Sequence, residues 1–240
     1  MLVSLVIVPS AILLIVMLER RWAASPVPAE RLRNFGAYGL YLLAQFLLLP
    51  MVDARFLVPS LVDLGQWPFL WGALAFILLM DFAEFAFHRM QHMIPFMWRM
   101  HALHHSDPNM NASTAVRHFW GDQLLKAVSV WPLCWLILKP TPMIILAYLV
   151  VSFYHFFVHA NLRVDFGRYS WLINGPAYHR RHHSIEPRHF NCNYAALFPI
   201  FDVLFGSYRR PDGYPSTGQP VQPRGLSDIA LWPLRGGSQA

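Results

Sequence analysis

Ten of the chain's twelve histidines lie in four short boxes: His88-Arg-Met-Gln-His92, His101-Ala-Leu-His104-His105, His155-Phe-Phe-Val-His159 and His179-Arg-Arg-His182-His183. No histidine precedes position 88 and none follows 189. On a helix, residues three and four apart share a face, so each box aims its imidazoles in one direction. The three rings of an H-x-x-H-H box fall within about 100° of arc. Neutral imidazole is a ligand for iron, zinc, copper and nickel. Ten such ligands exceed what one four- or six-coordinate ion uses. They fit two neighbouring ions with positions left open for an exogenous ligand. One i, i+4 pair can be a surface accident or a hydrogen-bonded core pair; four boxes together point to metal. His118 and His189, outside the boxes, read as ordinary polar groups or as supports for the ligands.

Asp81, Glu84, His88 and His92 stand at helical offsets and form one stripe near the end of an apolar segment. Acidic groups there face the interior of a bundle. Their natural partner is the outer N–H of a metal-bound imidazole, which would fix its tautomer and raise its basicity. The alternative is that Asp81 or Glu84 pairs with Arg89 or Arg99 at the edge of the segment.

The elements that must hold the boxes are membrane helices. The chain is 55% hydrophobic and 13% charged, with a mean hydropathy of +0.34, whereas a soluble domain is about a quarter charged. Residues 2–18 form an uncharged run followed by Glu19-Arg20-Arg21. A secretory signal carries its positive charge before the apolar run, so this one reads as an uncleaved anchor. Residues 35–52 and 67–87 are of spanning length. Residues 124–138 and 143–158 are shorter and are separated by Lys139-Pro-Thr-Pro142. They make either two thin spans or a re-entrant hairpin. With five crossings and the N-terminus outside, every Lys and Arg except Arg55 and Lys139 falls on the inner side, as the positive-inside rule requires. The same topology puts all four boxes and the C-terminus at the cytoplasmic face.

The expected fold is therefore all-α, an integral membrane bundle of four to five apolar segments with a cytoplasmic histidine-rich helical cap. Residues 1–210 read as one domain, with anchor helices over 1–80 and the catalytic region over 81–210. Residues 211–240 read as a Pro- and Gly-rich tail that either lies loosely over the cytoplasmic surface or is partly disordered. Cys134 and Cys192 give neither a disulfide framework nor a C-x-x-C site. Nucleic-acid binding has little behind it, since the arginines are dispersed among loops flanking the apolar segments.

From Asp81 to Tyr208 the chain resembles the membrane fatty acid hydroxylase and sterol desaturase superfamily. The shared words are Asp81 with HRMQH and Trp98, HALHHSDPNMNAST from 101, HANLR at 159–163, GPAYHRRHHS at 175–184, Asn193-Tyr194 and FDVLFGSY at 201–208. The resemblance implies a di-iron, O₂-dependent enzyme that hydroxylates or desaturates a lipid such as a fatty acyl lipid or sterol. It implies ligands at His88, His92, His101, His104, His105, His159, His179, His182 and His183. His155, added here from its box, is not histidine throughout that family. Many relatives carry a histidine two residues after Arg117 and a glutamate five after it; here those places hold Phe119 and Asp122.

Hydrogen abstraction from a lipid needs an apolar, water-poor pocket, which Phe87, Phe153, Tyr154 and Phe156 are placed to line. Electrons must come from a separate reductase, ferredoxin or cytochrome, because the chain has no G-x-G-x-x-G turn and no cysteine pattern for iron–sulfur ligation. Arg180 and Arg181 are the expected contacts for an acidic donor. Two rivals keep the metal and change the function. A transporter would string its ligands along the spans. A zinc hydrolase would use fewer histidines and a carboxylate base such as H-E-x-x-H, which this sequence lacks.

Overall fold

The computed structural model describes residues 13–26, 30–48 and 59–235. Helix α1 spans Arg31–Leu48. Helix α2, Phe69–Met93, is the axis on which the rest is built. At 1.5 Å per residue it runs roughly 37 Å, more than the roughly 30 Å hydrocarbon layer of a bilayer. It stops because Pro95 follows. The residue before a proline is pushed out of the helical region, and Ile94 is extended at φ −100°, ψ 115°. Pro95 then occupies the first turn of α3, Pro95–His105. The break folds α3 against the end of α2, so the first two boxes meet.

Helix α4, Trp120–Ile137, and helix α5, Pro142–Ser152, both pack on α2. The turn between them is tied to the start of α2 by a parallel pair of two-residue strands, β1 (Val62–Asp63) and β2 (Leu138–Lys139), with an ion pair between Lys139 and Asp63 at 2.9 Å. His88 lies roughly 28 Å along α2 from Phe69, so Lys139 and the boxes occupy opposite ends of that helix. Short helices α6 (Tyr154–Val158) and α7 (Pro176–His182) carry the third and fourth boxes back to the end of α2.

The bundle core is formed by Leu64, Phe76, Met80, Phe87, Val130, Cys134, Ile144 and Tyr148. The Tyr148 ring meets Phe76 and Trp131 edge-on, at centroid distances of 5.9 and 5.3 Å. The outward faces are apolar as well. Leu70 and Trp71 on α2, Leu133 on α4, Val150 on α5 and Phe46 on α1 are all exposed, where a water-facing helix would place polar groups. Among the described residues, α2 is the one helix long and apolar enough to cross a membrane, and Pro142–Val158 is a shorter apolar stretch. Residues 2–12 of the expected anchor, residues 49–52 of the second expected span and Arg55 lie outside the described residues.

Beyond the apolar bundle the chain changes character and packs through buried polar groups. Glu19 accepts hydrogen bonds from the backbone N–H of Ala112 and Asn161 and pairs with Arg31 at 2.8 Å. Asp107 accepts from Asn34 and Thr114. Between Pro211 and Arg235 the described residues do not lie loose over this cap. Thr217 is buried and donates to the carbonyl of Asp107. Ile229 and Trp232 fill an apolar cluster with Ala37, Met100, Leu103 and Phe119. A sequence reading of the tail sees its prolines and glycines. It misses how much surface one tryptophan removes from water.

Candidate metal centre

The four boxes converge into two adjoining groups. His88, His92, His101, His105 and His182 form one, and His104, His159, His179 and His183 form the other; within each, the candidate ligand nitrogens all lie within 4.8 Å of one another. Neighbours in sequence serve different groups: His104 and His105 divide between them, and so do His182 and His183. The groups share a wall, where the rings of His105 and His183 stack at 4.3 Å.

Hydrogen bonding decides which nitrogen of several rings faces inward. Nδ1 of His88 lies 2.7 Å from the Tyr194 carbonyl, that of His159 2.7 Å from the His155 carbonyl, and that of His182 2.7 Å from the Cys192 carbonyl. A carbonyl can only accept, so these Nδ1 atoms carry the proton and Nε2 presents a bare lone pair. Nδ1 of His101 points to Asp122 at 3.5 Å. The Nε2 atoms of His88 and His101 then approach to 3.1 Å, as do those of His159 and His104. Nitrogens held that close share either a proton or a cation, and two such pairs inside one buried cluster are a spacing that a metal ion fits. Nε2 of His92, His105, His182 and His183 are also buried with no hydrogen-bond partner, although buried polar atoms are normally satisfied. The donor set is all imidazole, without thiolate, which suits iron or another imidazole-binding transition metal.

Burial keeps these imidazoles in the ligating form. It pushes the pKa of His182 down to about 3, and it holds His104, His105, His179 and His183 well below the ordinary value, helped by neighbouring rings. The unfolded chain takes up protons below about pH 6.5, and the folded one does not. Stability of the metal-free protein should therefore hold from pH 8 to 7 and fall steadily from pH 6.5 to 5. Thermal melts in metal-free detergent buffer test this; a midpoint that is flat over that interval would contradict the buried, neutral histidines.

The loop 191–198 supplies carbonyls to two of the ligands, and three features shape it. Asn191 and Asn193 adopt positive φ, 56° and 59°, a region that Asn enters more easily than most residues. Asp202 accepts from the N–H of Tyr194 and Ala195. Asp81 accepts from the N–H of Leu197 and Phe198, at 2.8 and 2.9 Å. This corrects the expectation that Asp81 holds a ligand imidazole. It lies roughly 10 Å along α2 from His88, and the outer nitrogen of His88 is already taken by the loop that Asp81 anchors. Glu84 is not against a ligand either: Tyr148 donates to it at 2.7 Å, Lys126 pairs with it at 3.1 Å, and His155 Nε2 is 3.6 Å away. His155 stands outside both groups, and its backbone carbonyl serves His159.

The carboxylate beside a ligand is Asp122, fully buried and also held by Gln91 at 2.6 Å. Its sequence signal was an acid in the first turn of an otherwise apolar helix. His118 stacks on His104 at 4.3 Å and forms a third small group with His101 and Asp122. His189 is buried away from the centre, with Nδ1 2.9 Å from Ser184 Oγ.

Arg180 and Arg181 are not free to meet a partner, which corrects the expected donor contact. Arg180 is 2% exposed and donates to the carbonyl of Pro215. Arg181 is 9% exposed and paired with Asp212. On a seven-residue helix with histidines at 179 and 182, the arginines between them point into the packed cap. Of the four aromatic residues expected along a substrate route, Phe87 lines the cavity next to the histidines. Phe153 and Phe156 stack on each other, and Tyr154 donates to the carbonyl of Asn174.

A fatty acid hydroxylase domain matches residues 73–207, more than half of the chain. The chain is 31% identical to the alkylglycerol monooxygenase of Xenopus tropicalis over 143 residues, which cover 59% of this chain and 31% of that protein. It is 30% identical to an ornithine lipid hydroxylase of Rhizobium tropici, covering 63% of this chain and 46% of the relative. It is 31% identical to the cholesterol 25-hydroxylase of Mus musculus, covering 55% and 45%. The chain thus spans between about a third and a half of the length of the curated relatives it matches. No solved structure matches it at a significant level.

Proposed function

Because the chain belongs to the fatty acid hydroxylase family, we propose that it is a membrane-embedded di-iron oxidoreductase that uses O₂ to hydroxylate a C–H bond of a lipid. The observation that carries this reading is the pair of buried imidazole groups, with nine of the ten box histidines in them. Hydroxylation is preferred to desaturation because the relatives above are named as monooxygenases and hydroxylases. Ligands gathered at one end of α2 argue against transport along the spans. The lack of a carboxylate base among them argues against a zinc hydrolase.

Two irons held by these histidines would supply O₂ activation and hydrogen removal from an unactivated carbon, with electrons from a separate reductase, ferredoxin or cytochrome. The chain's own residues do the rest. The carbonyls of Tyr194, His155 and Cys192 orient His88, His159 and His182, and Asp122 orients His101. Burial keeps bulk water from the clusters. The cavity bordered by His88, His101, His104, His159 and His179 lies beside both groups, where the reacting carbon would have to sit. The length of α2 and the apolar outward faces support a membrane seat. The charge distribution supports cytoplasmic boxes with the N-terminus outside.

The test is metal analysis joined to oxygen uptake. Protein purified from iron-fed cells should hold about two irons per chain, with O₂ uptake that needs both a lipid and a reductant. Zinc in the preparation would not decide, since imidazole sites take zinc readily. An iron-reconstituted protein that consumes no O₂ with any lipid of a broad extract would defeat the reading.

A further inference from the structure

The metal centre opens in two places. The cavity where the reacting carbon would sit is walled by Tyr38 of α1, Glu84 of α2 and Lys126 of α4, and five of the candidate ligands border it. A second groove lies over His92 and Tyr194, with Arg89, Asn191 and Phe205 along it. His92 is the one candidate ligand in that groove, and it does not border the cavity. Tyr194 packs its ring against three ligands of the same group, with centroids 5.2 Å from His92 and 5.7 Å from His88 and His182. The exposed side chain of Asn191 hydrogen-bonds the His92 ring. A single ring thus stands between the surface and this metal group.

The groove has a cationic edge, and no carboxylate lines it. Arg89 donates to the carbonyl of Phe205 at 3.1 Å. Arg209, tied to the groove by a backbone N–H that donates to Asn193 at 2.7 Å, sends its guanidinium to the carbonyls of Gly206 and Tyr208. Carbonyls leave a guanidinium its full charge, and among the described residues neither arginine has a carboxylate partner. Arg181, by contrast, is neutralised by Asp212. Met93, Leu204 and Phe205 add exposed apolar surface beside them. An apolar centre within a charged rim is the build of a protein–protein interface, and the sign of the rim selects the partner that approaches fastest.

Hydroxylation by O₂ consumes two electrons and two protons, RH + O₂ + 2e⁻ + 2H⁺ → ROH + H₂O, and the sequence has no nucleotide-binding turn or iron–sulfur cysteine pattern to supply them. A carrier that entered through the cavity would compete with the lipid; one that docks on the second groove would not. Within the oxygenase reading above, we propose that this groove is the docking face for an acidic one-electron carrier protein, with His92 and Tyr194 as the point where its electrons enter the metal centre. Each carrier is oxidised by one electron as the iron pair is reduced by one, so two dock in turn for each turnover.

The test uses the iron-loaded full chain in phosphatidylcholine nanodiscs, with an acidic plant-type ferredoxin as the probe. Dye-labelled ferredoxin should bind, and added salt should weaken that binding. Arg89→Glu and Arg209→Glu should each weaken it severalfold, and the double variant by about tenfold or more. Arg20→Glu, the same charge change at an exposed position outside the groove, should leave it unchanged. Arg209 is on the surface, and a parental melting midpoint for its variant separates lost docking from lost structure. Reduction of the iron centre by ferredoxin, followed optically, should slow in parallel with the loss of binding. No binding by the parent, or equal binding by parent and Arg209→Glu, would overturn the proposal. Loss of phosphatidylglycerol binding in the variants with ferredoxin binding intact would assign the groove to a lipid head and overturn it as well. The two readings fail separately. Charge-sensitive ferredoxin binding without lipid-dependent O₂ uptake sinks the oxygenase and leaves the docking face standing, whereas ferredoxin-driven O₂ uptake indifferent to Arg89 and Arg209 does the reverse.

Discussion

Replacing His182 with alanine should leave a protein that holds about one iron instead of two and retains less than about one per cent of lipid-dependent O₂ uptake. Groups that merely orient a ligand are worth about 10- to 100-fold in affinity or activity, so removal of a ligand itself exceeds that range. His183→Ala should show the same stoichiometry from the opposite group, because adjacent residues feed different clusters. The double variant should hold little iron at either site. Metal-to-protein ratios on matched preparations decide this, with O₂ uptake as the second readout. His155→Gln provides the contrast: that ring lies outside both groups, so the protein should keep both irons. Two irons retained in both His182→Ala and His183→Ala would show that the ligands have been wrongly divided. Loss of one iron in His155→Gln would restore the ten-ligand reading of the sequence.

Arg117→Met should destabilise the protein by about 3–5 kcal/mol, the usual effect of removing one member of a buried ion pair. The guanidinium is fully buried. It reaches Glu30 at 3.0 Å, Asn34 at 2.9 Å, Ser106 Oγ at 2.8 Å and the carbonyl of Leu103 at 3.2 Å. Leu103 lies inside the second histidine box and Ser106 directly follows it, while Glu30 immediately precedes α1 and Asn34 lies in its first turn, so one side chain locks the box to the helix that walls the cavity. Methionine fills part of the volume and takes the guanidinium away from Glu30, from Asn34 Oδ1 and from the second histidine box, while Ser106 still donates to the Leu103 carbonyl and Arg33 still pairs with Glu30. A chain of this length should melt roughly 10 °C lower. Arg117→Lys should recover little, since one ammonium cannot span the fork of contacts. A melting midpoint within 2 °C or so of the parent would show that the network is slack.

Much of the site was legible in the sequence because ligand chemistry is written in residue types and helical spacing. The boxes, their number and the inference of two ions follow from which side chains can bind a metal and from 3.6 residues per turn. Those facts are local, and no fold is needed to state them. The Ile94-Pro95 break that folds α3 back on α2 is equally local in origin, since a proline constrains only its neighbours, though only the structure shows which boxes it brings together.

How the ligands divide was decided by tertiary structure. His182 and His183 point to different clusters because adjacent helical positions diverge by about 100°, and only the packing of α7 against α3 and α6 determines what stands on each side. The partners of the outer nitrogens were out of reach for a related reason. Three of them are backbone carbonyls, which every residue possesses and no sequence distinguishes. Asp81 was assigned by its stripe to an imidazole, yet it caps the loop that carries one of those carbonyls. Arg180 and Arg181 looked like surface charge, because exposure belongs to the folded chain and not to a residue type. Composition and periodicity could establish a helical chain with an apolar exterior and four boxes of candidate metal ligands. The polar wall of the cavity came only with the fold, as Tyr38, Glu84 and Lys126 are far apart in sequence and meet only when α1, α2 and α4 pack together.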